Sequence, residues 1–346
     1  MPEPSTHPRA LCWVAPDQVD AVRAVGEACG VEIAHAGSPE KGRSAGVADA
    51  LGAEPVDDLR SALNSADVDL ILITDPGVFG SGGANDTSAV EAARARGLKI
   101  ACLEPIPASA LELGAGGWTR STHGVRPIDA VRIVPMMRES RCWRDSADAI
   151  ESFGPVRTLS VHALGRPEHG SLGARLHSAM GLVFSLMGSP EVIDASGVAP
   201  VGGAAPLHAE DSLRDLHGDL SAILRYPDGR AASVVVSNQA PGWDHAALLI
   251  GQEGRLRIDD TSMTWAHPGA EDPDTHAVVW PARFEGLDAF GRALGDSVCR
   301  LLDPNAPASA PVEHERVLAM SQAALLSART GQGESPEVIR RLAVGG

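Results

Sequence analysis

Aromatic residues are scarce in this chain: they make up 3% of it, with a single tyrosine, Tyr226. Its core must therefore rest on alanine, valine, leucine and isoleucine. Cysteine is sparse too. Cys12, Cys29, Cys102, Cys142 and Cys299 are five thiols, an odd number with no CxxC pair, in 346 residues. A chain of that length has no need of covalent staples, so the pattern excludes a disulfide scaffold and points to reduced thiols in a cytoplasmic protein. Basic residues are outnumbered, with 29 Lys and Arg against 45 Asp and Glu and a formal net charge of −16. Nucleic-acid binding needs a basic face, and none is available; the acidic balance reads as solubility. No membrane span appears. Met1 to Pro8 is polar and proline-rich, lacks an apolar h-region and reads as a frayed tail, not a signal peptide. His162, His169, His208 and His217 are scattered without metal-ligand spacing, and Glu210-Asp211 after His208 reads as loop, so no metal site is expected.

What remains is ordinary globular composition, 44% hydrophobic and 21% charged, at a length that suggests two domains. The most informative stretch is Val68 to Ala108. Leu70 to Ile73 and Leu98 to Leu103 are short apolar runs, the pattern of buried parallel strands. Between them Asp86 to Ala95 has helical period, with Asp86 or Thr87 as cap and Gly97 as stop. In open α/β sheets ligands sit at the carboxyl ends of the strands. Here those ends are Thr74-Asp75-Pro76 and Glu104-Pro105-Ile106. Upstream, Ala10 to Val14 reads as a strand and Asp17 to Cys29 as a helix capped by Asp17 and closed by Gly30. A strand at Val31 to Ala36, a helix at Val47 to Leu51 and another within Val56 to Ala66 follow. This alternation predicts a doubly wound parallel sheet.

After Pro107 the chain becomes glycine-rich and weakly patterned, which marks a domain edge. The expected domains are 1–118, Rossmann-like, and 119–346, an α/β domain for substrate or oligomer contacts, with a return of its last helices to the first domain as an open alternative. Ile128 to Val134 reads as extended and Met137 to Ser152 as a helix. Strands are expected at Val156 to His162, Asp219 to Tyr226, Ala231 to Ser237, Ala247 to Ile250 and Gly254 to Ile258. Turn signals at Tyr226 to Gly229 and Gly251 to Gly254 make them a largely antiparallel sheet. Leu172 to Met187 is a long apolar helix closed by Gly188, and Phe284 to Leu302 and Glu313 to Thr330 are further helices.

With DVDLILITDP, AVEAARARGLKIACLEP, FGPVRTLSV, LRYPDGRAASVVV, LLIGQEGRLRID and LLSARTGQ in this order, most of the chain resembles the glucose–fructose oxidoreductase, inositol dehydrogenase and rhizopine-catabolism (Gfo/Idh/MocA) family. The resemblance implies NAD or NADP, a sugar-like or cyclitol-like small polar metabolite, and homo- or hetero-oligomers built on the open sheet face. It places the dinucleotide against Val14 and Ala15, Ser38, Thr74-Asp75-Pro76 and Glu104.

The chemistry of hydride transfer can be checked residue by residue. A pyrophosphate cradle needs glycines after the first strand. Val14-Ala15-Pro16-Asp17-Gln18-Val19 has none; Pro16 removes an N–H and Asp17 sets an anion beside the phosphates. The ribose-gripping acid after the second strand is displaced to Glu40, with Ser38, Lys41 and Arg43 nearby. The family's Glu-Lys-Pro turn becomes Glu104-Pro105-Ile106-Pro107. The glutamate stands and the amine is missing, while the prolines keep a turn where the family often has a cis bond. On the helix at Leu172 to Met187 the family's acid/base histidine position falls on Ser178 and its aspartate on Ala174. His177 is one residue away, about 100° around the helix. Arg175 is a candidate for binding a substrate carboxylate or phosphate. Trp243-Asp244-His245 reads as an exposed turn, and Gly80 to Asp86 as a glycine-rich surface insertion that could instead form a lid or fill the cofactor groove. The expectation is a family member with reduced or lost dehydrogenase activity, serving as a noncatalytic subunit or ligand binder. The contrary expectation is an active NAD(P)-dependent oxidoreductase using His177 and Glu104 as catalytic residues.

Overall fold

The computed structural model describes residues 7–120, 125–198, 212–214, 216–268, 276–307 and 312–344. The N-terminal tail before His7 and the His208-Glu210-Asp211 stretch lie outside them. Two compact units form: Met1–Val134 with Phe284–Ala310, and Pro135–Arg283 with Pro311–Gly345.

The first unit runs β1 (Arg9–Trp13), α1 (Val19–Cys29), β2 (Glu32–Gly37), α2 (Ser44–Leu51), β3 (Glu54–Val56), α3 (Leu59–Ser65), β4 (Leu70–Ile73), α4 (Ala84–Ala95) and β5 (Lys99–Cys102). It continues through α5 (Ala110–Ala115), α6 (Pro127–Ala130) and β6 (Val131–Ile133). Six strands pair in parallel in the order β3-β2-β1-β4-β5-β6. The winding reverses between β1 and β4, so the crevice over their carboxyl ends is the switch point where such sheets take ligands. Every residue of β4 is buried, as a strand covered on both faces requires. Cys12 and Cys102 fill buried strand positions, and burial pushes the Cys12 thiol up to about 12, which makes it unreactive.

Local chemistry departs from the sequence expectation at several ends. Asp17 does not cap α1: Pro16–Gln18 form a separate 3-10 turn, closed by the Gln18 N–H on the Ala15 carbonyl at 3.0 Å. Neither Asp86 nor Thr87 starts α4, which begins at Ala84 behind Gly83. Ile128 to Val134 is not extended throughout, because Pro127 opens the short α6 before β6 forms. β6 pairs with β5, so the glycine-rich edge at 118 lies inside the first unit.

The second unit contains α7 (Arg141–Asp145), α8 (Ala147–Phe153), β7 (Val156–Leu164), α9 (Leu172–Met187) and β8 (Val192–Val198). Then come β9 (Asp219–Arg225), β10 (Ala231–Ser237), β11 (Asp244–Gly251), β12 (Gly254–Asp259), β13 (Ser262–Ala266) and β14 (His276–Val279). α10 (Ala289–Leu302) belongs to the first unit and packs on α1, where the Cys29 thiol donates to the Gly295 carbonyl at 3.4 Å. α11 (His314–Thr330) and α12 (Pro336–Val344) return to the second. The sheet has eight strands in the order β14-β13-β12-β11-β7-β10-β9-β8. Only β7 and β10 pair in parallel; the other pairings are antiparallel.

Leu172 to Met187 is helical over the expected span. Ser171 caps it, accepting from the Ala174 N–H at 3.1 Å, and Gly188 closes it. The helix is apolar nearly all round and packs against β7, β10 and α11. The expected helix at Met137 to Ser152 is broken at Ser146, whose hydroxyl bonds back to the Cys142 carbonyl at 2.7 Å and separates α7 from α8.

Candidate functional site

In the first unit the expected cofactor positions gather at the carboxyl edge of the sheet. Val14 is buried and its N–H donates to the Gly37 carbonyl at 2.8 Å. Ala15 precedes the 3-10 turn, whose Pro16 has no N–H to give. The Ser38 hydroxyl accepts from the Glu40 N–H at 3.3 Å, and Arg43 pairs with Glu40 at 3.7 Å. Ser38 and Arg43 thus both engage Glu40 within the turn after β2. The Thr74 hydroxyl and N–H both donate to the Trp13 carbonyl, and the Asp75 carboxylate accepts from the Gly77 N–H at 2.8 Å. The Pro76 carbonyl accepts from the Phe79 N–H at 2.9 Å. Glu104 is buried beyond β5, and the peptide between Ile106 and Pro107 is cis.

The insertion after β4 lies at the surface, as expected, with Ser81, Gly82, Ala84 and Asn85 exposed, but it is tied down from beneath. Asp86 is fully buried in the first turn of α4. Its Oδ2 accepts from the N–H groups of Gly80 at 2.8 Å and Gly82 at 2.6 Å, and its Oδ1 pairs with Arg60 Nε. The Arg60 guanidinium lies 5.8 Å from the centroid of the buried Phe79 ring. A Cβ on Gly82 would stand 2.6 Å from Arg60 Nη2 and from both Asp86 carboxylate oxygens, and one on Gly77 would stand 2.7 Å from Pro39 Cβ. Glu112 ties this loop to the next: it accepts from the Ser81 hydroxyl at 2.9 Å and from the Ala108 N–H at 3.2 Å. Sequence reasoning passed over Glu112, although Ser109-Ala110-Leu111-Glu112 has capping-box spacing.

In the second unit α9 separates the candidates by their angle around the helix. The Ser178 hydroxyl accepts from the Met137 N–H at 2.9 Å. His177 faces α11 instead, stacked on His314 with ring centroids 5.9 Å apart and planes 9° from parallel. It is buried, and neither ring nitrogen has a hydrogen-bond partner among the described residues. Burial, then the neighbouring His314, pushes its pKa down to about 3. It is therefore neutral at physiological pH.

Arg175 is fully buried. Its Nη2 donates to the His169 carbonyl at 2.8 Å, and its guanidinium lies 4.2 Å from the Trp243 ring centroid. Trp243 in turn lies 4.1 Å from the His245 ring and 5.9 Å from that of His169. Trp243 and His245, expected in an exposed turn, are buried; only Asp244 between them is exposed. Burial, then the Arg175 charge, holds His245 well below the usual imidazole range. The His245 N–H donates to Asp260 at 3.1 Å. Burial above all, with the charges of Asp244 and Asp259 adding, raises the Asp260 carboxyl to about 7. Among the described residues no group of three or more His, Cys, Asp or Glu side chains could hold a metal ion, and no helix is long and apolar enough to cross a membrane.

No family model matches the chain, and no curated protein matches it. Solved structures do. Levoglucosan dehydrogenase in complex with NADH and L-sorbose aligns with a TM-score of 0.67 at 16% identity, covering 95% of this chain and 98% of that one. UDP-N-acetylglucosamine 3-dehydrogenase from Acidithiobacillus ferrooxidans aligns at 0.62 and 20%, covering 94% and 99%. A myo-inositol dehydrogenase from Corynebacterium glutamicum aligns at 0.60 and 16%, covering 95% and 98%. At these identities the likeness establishes the fold alone, the two-domain α/β fold of those dehydrogenases. At the edge of the first unit the β1–α1 turn lacks glycine, and its Val14 and Gln18 N–H groups are engaged by backbone carbonyls.

Proposed function

We propose that this chain is a Gfo/Idh/MocA-type protein in which nicotinamide hydride transfer is reduced or lost, and that it acts as a small-polar-ligand binder or a noncatalytic subunit. The observation that carries this reading is the orientation of His177, stacked on His314 and held neutral, while Ser178 occupies the position of the family's acid/base residue. A neutral imidazole with a pKa near 3 is a poor general acid at neutral pH. Pro105 beside Glu104 supports the same reading, because no amine stands ready to move the substrate's proton. Arg175, stacked on Trp243, is the cation proposed to select an acidic group on the small molecule.

A second reading keeps the chain as an active NAD(P)-dependent sugar or cyclitol dehydrogenase, with Glu104 at the substrate and His177 as acid/base. It is favoured by the alignment of nearly the whole chain with a dehydrogenase in complex with NADH. The two readings part in one experiment. NADH and NADPH are titrated into the purified protein while nicotinamide fluorescence is followed, and NAD(P)-linked turnover is screened with polyols and sugars. The first reading expects neither saturable binding nor turnover; turnover abolished by His177→Ala establishes the second.

Assembly is proposed as well. Ile223, Val235 and Ile250 are exposed on the outer face of the second unit's sheet. The family resemblance, in which open sheet faces pair between subunits, supports this face as the contact with a second copy of the chain or a related subunit.

A further inference from the structure

We propose that the loop between β4 and α4 is a self-filled anion nest that permanently closes the switch-point crevice of the first unit. This inference rests on the reading above and names the element that takes the cofactor's place.

Topology locates the closure. Gly77 follows β4 and Pro39 follows β2, while β1 lies between those strands in the sheet. A Cβ built on Gly77 would meet Pro39 Cβ at 2.7 Å. The two loops therefore touch across the carboxyl end of β1, where a ligand of such a sheet would lie. Gly77 also has φ of 55°, a conformation suited to glycine.

Chemistry explains what holds it there. Backbone N–H groups converging in a glycine-rich loop at a helix start form a site for an anion. In this loop Gly80 and Gly82 aim their N–H groups at one point, and Arg60 reaches the same place. The anion found there is the chain's own Asp86 carboxylate, fully buried. Hydrogen bonds to an ionised carboxylate are stronger than neutral ones, so the nest and its internal anion lock each other. A side chain at Gly82 would press on the Arg60 and Asp86 side-chain ends and force them to shift, and the buried Phe79 anchors the loop from below. Gly77 and Gly82 thus each stand in close contact with their neighbours, while Gly83 takes a positive φ of 60° with open space around it. An external phosphate would have to displace a covalently tethered carboxylate, which no longer pays entropy to bind.

Amide hydrogen exchange read by mass spectrometry on the full chain tests this, for the wild type and for Asp86→Asn, with and without excess NADH. In the wild type the peptide spanning residues 76–86 exchanges slowly and NADH leaves it unchanged. Asp86→Asn keeps an acceptor but removes the charge, and accelerates that peptide about tenfold or more while β1 and β4 stay protected. Unprotected exchange in the wild-type peptide, or protection that appears only with NADH, overturns the proposal. The wild-type arm decides even if the variant fails to fold. Failure of the two readings is distinguishable. An open peptide with no NADH binding sinks the closed loop alone. Saturable NADH binding with the peptide unchanged sinks both, because the crevice then takes its ligand with the loop in place.

Discussion

His177 has both its ring nitrogens buried without a hydrogen-bond partner among the described residues, and that has a measurable consequence. Its folded pKa of about 3 lies below the ordinary 6.5. Between those values the unfolded chain holds a proton that the folded one does not. The folded state thus loses about 1.4 kcal/mol for each pH unit below roughly 6.5. Asp260 runs the other way: its folded carboxyl titrates near 7 against 3.8, so its contribution is present at low pH and lost as the pH rises towards 7. His177→Leu removes the acid-side loss. Urea titrations should find the variant stabilised relative to wild type by about 2 kcal/mol more at pH 5 than at pH 8. Identical pH dependence in the two proteins would refute the buried neutral imidazole. Arg175 makes the complementary case. Arg175→Ala removes the stack on Trp243 and the bond to the His169 carbonyl, with an expected cost of about 3 kcal/mol by urea unfolding. Arg175→Lys restores the charge but not the planar face, so recovery should be incomplete.

At the scale of elements, α9 was legible in the sequence to the residue, because its signals are local. Ser171 caps it, the apolar run continues to Met187, and Gly188 ends it. Ser171→Ala should cost about 1 kcal/mol of stability in thermal or urea unfolding, and an unchanged midpoint would show that the cap carries no weight. The parallel strands were legible for the same reason, since a continuous apolar run such as Leu70 to Ile73 has few other homes. What escaped the sequence depends on partners far along the chain. Asp86 looks like a helix cap from its neighbours, and becomes the anion of a nest only through Arg60 on α3. Trp243 and His245 follow a Pro-Gly turn and look exposed, but Arg175 on α9 gives them a buried partner. β3, with three residues, and β14, exposed at all four, carry no hydrophobic pattern of their own. Their pairing is decided by the neighbouring strand.

At the scale of the whole molecule the sequence motifs were sufficient for the fold and insufficient for the chemistry. The order of apolar runs and turns marks five of the six parallel strands and five of the eight in the second sheet, while β3, β8, β13 and β14 escape it. Whether that scaffold works on a nicotinamide depends on a few positions: Pro16, Pro105, Ser178 and the loop clamped by Asp86. The open sheet face belongs to this scale too. Replacing both Ile223 and Val235 by lysine sets two charges on it and should convert an oligomer to a monomer in sedimentation velocity, with the circular dichroism of the fold retained. A wild-type chain that sediments as a monomer would remove that interface.

On the reading proposed above, this scaffold no longer takes a dinucleotide at the switch point of its parallel sheet. The most direct measurement is a fluorescence titration of the full-length protein with NADH and with NADPH. No saturable change up to millimolar cofactor is the predicted result, corresponding to a binding free energy weaker than about −4 kcal/mol. Saturable binding at micromolar concentration, competed by the oxidised cofactor, would contradict it.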